Sequence, residues 1–227
     1  MDPRKMMFAP SLMCMDILHV EEQLAVLDPR CDIYHVDIMD GNYVKNFACS
    51  IDFVKAIKAH TTKPIDMHLM VLHPAEYLEA CARAGADYIS PHADTITRDA
   101  FRPLDTIRGA GCKTGVVLNP SEPLEMIRRY LGRLDKVTLL TVDPGYAGQK
   151  FVPEILNKVR ELVDLREEMG LSFPIEIDGS CNEKTYRRLY EAGADVLIVG
   201  TSGLFNLDPD LAVAWDKMMA IYQREIR

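Results

Sequence analysis

The stretch Ala84-Gly85-Ala86-Asp87-Tyr88-Ile89 recurs as Ala192-Gly193-Ala194-Asp195-Val196-Leu197, each time at the end of an amphipathic run and the start of an apolar one. Read locally, each copy is a helix that stops at a left-handed glycine and passes straight into a strand. Like elements half a molecule apart point to duplicated halves. Outward from these two copies, apolar or β-branched runs predict strands at Met7–Met13, Ile33–Met39, Pro64–Met70, Asp87–Pro91, Lys113–Leu118, Lys136–Val142, Pro174–Asp178 and Val196–Gly200. Helix-like segments lie between them near residues 15–28, 50–60, 74–84, 99–110, 122–131, 153–169, 182–192 and 208–224. In the seventh of these, Asn182 is placed to cap, Tyr186, Leu189 and Tyr190 share a face, and Gly193 ends the helix.

Strands alternating with helices imply parallel pairing through right-handed crossovers. Eight such units in 227 residues predict an α/β fold, a single-domain (β/α)8 TIM barrel spanning residues 1–227. An open doubly wound sheet is the competitor. The half-molecule repeat favours closure, and so do the polar residues crowding the C-terminal strand ends, the face on which barrels carry their chemistry.

A formal charge of −8 argues against nucleic acid and anionic membrane as partners, which demand a basic face. The cysteines Cys14, Cys31, Cys49, Cys81, Cys112 and Cys181 form no Cys-x-x-Cys pair, and the sequence predicts neither a signal peptide nor a membrane-length apolar run. They read as free thiols of a reducing cytoplasm, mostly packing residues.

The densest chemistry lies in Tyr34-His35-Val36-Asp37-Ile38-Met39-Asp40-Gly41. Side chains of a strand alternate, so His35, Asp37 and Met39 share one face. Pro64-Ile65-Asp66-Met67-His68-Leu69-Met70 repeats the device with Asp66, His68 and Met70, and a third run ends in Asp178-Gly179-Ser180. Ionisable groups gathered at one barrel mouth are costly unless paired or bound to a cation. Two histidines with two aspartates suit zinc, with manganese, cobalt and iron(II) as alternatives, and leave positions open for substrate oxygens. Asp66 is placed either to fix the tautomer of His68 or to make a structural salt link. Met13, Met39 and Met70 close their strand patterns as irregular core filling or as a soft apolar lid that excludes water. His19, His60, His73 and His92 show no comparable partner pattern, and Arg128-Arg129 and Arg166-Glu167-Glu168 read as solvated faces.

Glycines recur after the last three strands, in Asp143-Pro144-Gly145-Tyr146-Ala147-Gly148-Gln149, Asp178-Gly179-Ser180 and Val199-Gly200-Thr201-Ser202-Gly203. No lysine or arginine lies within Gly145–Gly148, Gly179–Ser180 or Gly200–Ser202. A phosphate held there rests on backbone amides and on the hydroxyls of Ser180, Thr201 and Ser202.

These residues resemble the ribulose-phosphate 3-epimerase family over essentially the whole chain. The matching stretches are Pro10-Ser11-Leu12, His35 to Gly41, Asp66 to Met70, Pro144-Gly145 with Gly148-Gln149, Ile177-Asp178-Gly179 and Val199-Gly200. Within it, Thr141 to Gly145, Asp178 to Asn182 and Gly200 to Phe205 are most similar to the D-allulose-6-phosphate 3-epimerase group. The resemblance implies a barrel of the ribulose-phosphate-binding type and an isomerase, EC 5.1.3.-. It implies a divalent metal, with magnesium also admitted, on His35, Asp37, His68 and Asp178, and makes Asp37 and Asp178 the acid/base pair. Ser11, His35, Asp37, His68 and Asp178 then face the sugar under Met39 and Met70, while Gly145, Tyr146, Ala147, Gly148, Gly179, Ser180, Gly200, Thr201 and Ser202 take the phosphate. Asn42, Tyr43 and Lys45 stand where the family commonly has His, Phe and Pro, Leu140 replaces a usual methionine, and Ala147 a common glycine.

The implied reaction removes the proton beside a C2 carbonyl and returns one to the opposite face of C3. The expected substrate pair is D-allulose 6-phosphate and D-fructose 6-phosphate, with D-ribulose 5-phosphate as the alternative and a non-catalytic sugar-phosphate-binding barrel as the rival of another class. Neither Gly-x-Gly-x-x-Gly nor Gly-x-x-x-x-Gly-Lys occurs, which agrees with chemistry needing no hydride carrier and no ATP. A small-molecule ketose phosphate is the expected partner, in a cytoplasmic homo-oligomer.

Overall fold

The two Ala-Gly-Ala-Asp copies do the same work in the three-dimensional structure, a computed structural model that describes residues 5–227. Gly85 (φ 102°) and Gly193 (φ 113°) end their helices in the left-handed region. The following aspartates turn back. Asp87 Oδ2 accepts from the N–H of Ile65 (2.8 Å) and Asp195 Oδ2 from that of Ile175 (2.9 Å). Two further aspartates repeat the contact: Asp32 accepts from Phe8 N–H (2.9 Å) and Asp135 from Thr114 N–H (2.8 Å). Each aspartate thus satisfies a strand-start N–H in the preceding strand, and its own N–H donates to the carbonyl of the same residue.

The strands are β1 Met7–Pro10, β2 Tyr34–Met39, β3 Ile65–Met70, β4 Tyr88–Pro91, β5 Lys113–Leu118, β6 Lys136–Leu140, β7 Ile175–Asp178 and β8 Val196–Val199. All ladders are parallel, in the order β1-β8-β7-β6-β5-β4-β3-β2. The ring closes from β1 to β2 through the bridge of Ser11 with His35 and the Asp32–Phe8 exchange. This is the expected (β/α)8 barrel, not an open sheet; residues 1–4 lie outside the described part.

The described helices are α1 Val20–Leu27, α2 Ile51–Lys58, α3 Leu78–Ala84, α4 Ala93–Ile96, α5 Phe101–Gly109, α6 Glu125–Arg128, α7 Ile155–Glu168, α8 Tyr186–Ala192 and α9 Leu211–Glu225. Their buried faces, such as Leu24 and Leu27, Val54 and Ile57, and Val159 and Leu162, pack around the barrel in one apolar core. Beneath the closure, Phe8 of β1 meets Tyr222 of α9 edge-on at 5.0 Å. No helix among the described residues is long and apolar enough to cross a membrane.

Three expectations change. The first strand stops at Pro10, and Leu12–Cys14 form a 3₁₀ turn, so Met13 reaches the methionine cluster from a loop. The helix α8 starts at Tyr186, later than expected, while Asn182 caps the turn leading into it, its Oδ1 accepting from Lys184 N–H (3.1 Å) and its carbonyl from Tyr186 N–H (3.0 Å), and its Nδ2 donates to Ser202 Oγ (3.0 Å). Arg166 is no solvated charge, because it donates to Asp195 (2.6 Å) and to the carbonyl of Phe173. The last glycine-bearing segment winds into a short π-helical turn, Thr201–Phe205. There a Cβ on Gly203 falls 2.1 Å from the carbonyl oxygen of Cys181, so only glycine fits.

Candidate active site

Register decides what meets at the mouth. β2 and β3 pair His35 with Asp66, Asp37 with His68 and Met39 with Met70, and β6 and β7 pair Leu140 with Asp178. His35 Nε2 lies 3.3 Å from Asp37 Oδ1, 3.3 Å from His68 Nδ1 and 3.8 Å from Asp178 Oδ2. His68 Nδ1 lies 3.1 Å from Asp37 Oδ1 and 3.6 Å from Asp178 Oδ2. Four donors at about 2.0–2.1 Å from one zinc ion, in tetrahedral array, stand about 3.3–3.4 Å apart. The four side chains expected to meet do so with the spacing of a coordination shell.

Charge makes the same point. The barrel centre holds the carboxyls of Asp37, Asp66, Glu176 and Asp178 against one buried ammonium, Lys136. The surplus shows in the titration of the group. Burial disfavours a charged His35, yet Asp37 and Asp66 outweigh it and raise its pKa. Burial and the neighbouring Asp37 charge push Asp178 up to about 6 against the pull of His35 and His68. For Asp37, burial is overcome by His35 and His68, which hold the carboxyl below its usual range. The raised values of His35 and Asp178 are those of a site with more buried carboxyl than positive charge.

The supports are specific. Ser11 Oγ donates to Asp37 Oδ2 (2.9 Å), leaving Oδ1 for the cluster. His35 Nδ1 is 2.9 Å from Asp66 Oδ2, so Asp66 steadies His35 and not His68. Asp66 also takes the Ser90 hydroxyl (2.7 Å) and Lys136 Nζ. Lys136 bridges on to Glu176, whose Oε1 accepts from Thr138 as well (2.8 Å). The histidine supporting His68 is His92, with the two Nε2 atoms 2.8 Å apart.

Asp37, His68 and Asp178 line one pocket, with His35 behind them. Met39, Met70 and Val44, joined by Met13, form a small apolar cluster along it, separate from the main core. Its far wall consists of Gly145, Tyr146, Ala147, Gly148, Gly179, Ser180, Gly200, Thr201 and Ser202, which the fold brings together. A Cβ on Gly179 (φ 99°) falls 2.7 Å from Val142 Cγ2, so no side chain fits at this point of the pocket wall. Ser180 is the one non-glycine at positive φ among the described residues (49°). Its hydroxyl donates to the carbonyl of Gln149 (2.6 Å), which ties the β6 and β7 loops together. Ser202 Oγ accepts from Asn182, and Thr201 Oγ1 sits 3.4 Å from Cys14 Sγ. The loop after β2 covers the wall: Asn46 Nδ2 donates to the Gly145 carbonyl (2.7 Å) and Tyr146 hydroxyl to that of Lys45 (2.7 Å).

His92, Lys136 and Glu176 were missed by the sequence reading. Alternation offers a signal for two of them, since Glu176 shares a face with Asp178 and Lys136 with Thr138. His92 lies beyond its strand, and its partners come from β3 and from the loop after β2, so nothing local marks it.

Fold and site together define a (β/α)8 barrel whose mouth gathers two histidines and two aspartates with ligand atoms close enough to share one metal ion. Residues 7–205 match the model of the ribulose-phosphate 3 epimerase family. The chain is 38% identical over 205 residues to ribulose-phosphate 3-epimerase of Synechocystis, covering 89% of each chain. It is 37% identical over 208 residues to that of Bacillus subtilis, covering 91% of this chain and 95% of the relative. Among solved structures, 3-hexulose-6-phosphate synthase from Salmonella typhimurium superposes with a TM-score of 0.65 at 16% identity, covering 97% of this chain and all (100%) of that one. A mutant tryptophan synthase alpha-subunit from Pyrococcus furiosus gives 0.68 at 15% identity, covering 96% of this chain and 97% of that one; both likenesses speak to the fold alone. The chain belongs to the ribulose-phosphate 3-epimerase family. It is an epimerase, of the isomerase class.

Proposed function

We propose that this chain inverts C3 of a ketose phosphate by two-base proton transfer, with Asp37 and Asp178 as the acid/base pair and a divalent metal, zinc first, on His35, Asp37, His68 and Asp178. The observation that carries the reading is the convergence of these four donors between carboxyls of two different strands. When bound, the metal supplies a Lewis acid for the negative charge that develops on O2 as the C3 proton leaves. Asp37 and Asp178 reach the mouth from different strands, β2 and β7, as a base and an acid acting on opposite faces of C3 require. The roles exchange with reaction direction. Ser11 orients Asp37, and the methionine cluster excludes water from the sugar.

Support for phosphate on the opposite wall comes from Gly145, Tyr146, Ala147, Gly148, Gly179, Ser180, Gly200, Thr201 and Ser202. The first-turn N–H groups after Gly200 have no helical acceptor and the wall brings no lysine or arginine.

For the substrate, the stretches Thr141 to Gly145, Asp178 to Asn182 and Gly200 to Phe205 favour D-allulose 6-phosphate and D-fructose 6-phosphate. The names of the relatives favour D-ribulose 5-phosphate as the second reading. A panel of five- and six-carbon ketose phosphates, assayed before chelation, after it and after metal is restored, tests all of this. The expected result is metal-dependent inversion with the highest kcat/KM on the six-carbon pair. Preference for ribulose 5-phosphate selects the second reading, full activity in metal-stripped protein removes the metal, and absence of solvent-proton exchange into every ketose phosphate leaves a binding barrel. A cytoplasmic location and a homo-oligomer complete the proposal.

A further inference from the structure

A chain of polar groups leads away from His68 that the donor cluster does not use. The His68 and His92 rings lie 27° from coplanar with centroids 4.9 Å apart, and their Nε2 atoms are 2.8 Å apart, the edge-to-edge approach of an N–H···N hydrogen bond. Both residues are fully buried. On its other side, His92 Nδ1 is 2.9 Å from the Tyr43 hydroxyl. That hydroxyl accepts from Asn119 Nδ2 (2.8 Å) and lies 3.2 Å from both carboxylate oxygens of Asp94.

Counting protons gives the chain a direction. Two facing ring nitrogens share one hydrogen. If His68 Nδ1 is to offer a lone pair to a metal, the ring hydrogen sits on Nε2 and is donated to His92. His92 then carries its own hydrogen on Nδ1 and donates it to Tyr43. The Tyr43 oxygen, accepting from His92 and Asn119, donates to Asp94, and every group is satisfied. In the opposite direction Tyr43 donates to His92, His92 to His68 Nε2, and His68 Nδ1 to Asp37 Oδ1 at 3.1 Å. That order closes Nδ1 to a cation. Asp94 decides between the two, because a carboxylate draws the hydroxyl hydrogen more strongly than a neutral imidazole.

We infer that Tyr43 is a positioning residue which, held by Asp94 and acting through His92, keeps His68 in the tautomer that presents Nδ1 to the metal. The inference rests on reading His35, Asp37, His68 and Asp178 as the metal site. Tyr43→Phe removes one oxygen and keeps the ring packed against His92 (centroids 4.6 Å apart, planes tilted by 45°); Asp94→Asn, at an exposed position, acts on the same hydroxyl without touching buried packing.

The test titrates zinc into metal-free wild type, Tyr43→Phe and Asp94→Asn against a competing chromogenic chelator. Long-range proton–nitrogen NMR of ¹⁵N-histidine-labelled metal-free protein reads the tautomers. Wild type is expected to bind one equivalent and to show His92 as the Nδ1–H form. Tyr43→Phe is expected to bind zinc about tenfold more weakly, within the range for groups that orient a metal ligand, and to show His92 as the Nε2–H form. Asp94→Asn should move both readouts the same way by less. Wild-type zinc affinity and an unchanged His92 tautomer in Tyr43→Phe overturn the inference alone, whereas a wild type that binds no zinc overturns the site reading beneath it.

Discussion

His35 Nδ1 faces Asp66 Oδ2 at 2.9 Å inside the barrel, on the side of the ring away from the donor cluster. A carboxylate there fixes the hydrogen on Nδ1, aims Nε2 at the cluster and makes it a better donor. Asp66→Asn keeps the shape and removes the charge. The expected outcome is metal affinity about 10–100-fold weaker, with the four donors still present. Chelator competition against the metal-free protein checks it, and unchanged affinity assigns Asp66 to the salt link alone.

Lys136 is the one ammonium between Asp66 and Glu176, and all three are fully buried. Burial alone lowers a lysine pKa, but here the two carboxylates outweigh it and raise it, so the charge persists across the ordinary pH range. Lys136→Met strands two carboxylates in the core and is expected to cost about 3–5 kcal/mol of stability. Adding Glu176→Gln should restore part of that loss, because it removes one stranded charge. Denaturant unfolding of the single and double variants measures both steps, and a single variant as stable as wild type contradicts the account.

The recurring aspartates offer a check on the fold. Asp87→Ala and Asp195→Ala each leave a strand-start N–H, that of Ile65 or Ile175, without its acceptor, and free Lys58 or Arg166 from an ion pair. Each is expected to cost about 1–3 kcal/mol. The two contacts share no partner and lie in opposite halves of the chain, so the double variant should lose the sum to within about 0.5 kcal/mol. Strong non-additivity in the unfolding midpoints argues against two independent anchors.

These same residues show what the sequence makes legible. The alternation of His35, Asp37 and Met39, and of Asp66, His68 and Met70, fixes one face of two strands, and parallel register does the rest. The partners of Asp32 and Asp135 are set only when neighbouring strands come into register, so two of the four strand-start contacts have no local signature. Which histidine Asp66 serves is likewise a matter of register: sharing a face with His68 suggests one partner, while pairing opposite His35 supplies the other. Asn182 shows both kinds of use at once: its Oδ1 accepts locally from Lys184 N–H, as its position before α8 suggests, while its Nδ2 reaches Ser202, a partner no local pattern marks.

The last prediction concerns the two aspartates that separate a catalyst from a binding protein. Asp37 and Asp178 come from β2 and β7, and each presents one oxygen to the donor cluster at 3.1–3.8 Å from the imidazoles. Asp37→Asn and Asp178→Asn keep the size and an oxygen but remove the proton-accepting carboxylate. A positioned acid or base contributes about 10²–10⁴-fold, and inversion needs both, so either change should nearly stop epimerisation. If each serves one face of C3, then in D₂O the variant that keeps the base for a given epimer still washes deuterium into C3 of that epimer without inverting it. Mass spectrometry of recovered substrate reads the exchange, and metal analysis of the same samples separates lost chemistry from lost metal. Near wild-type inversion by either variant, with metal retained, means that one base or a water serves both faces.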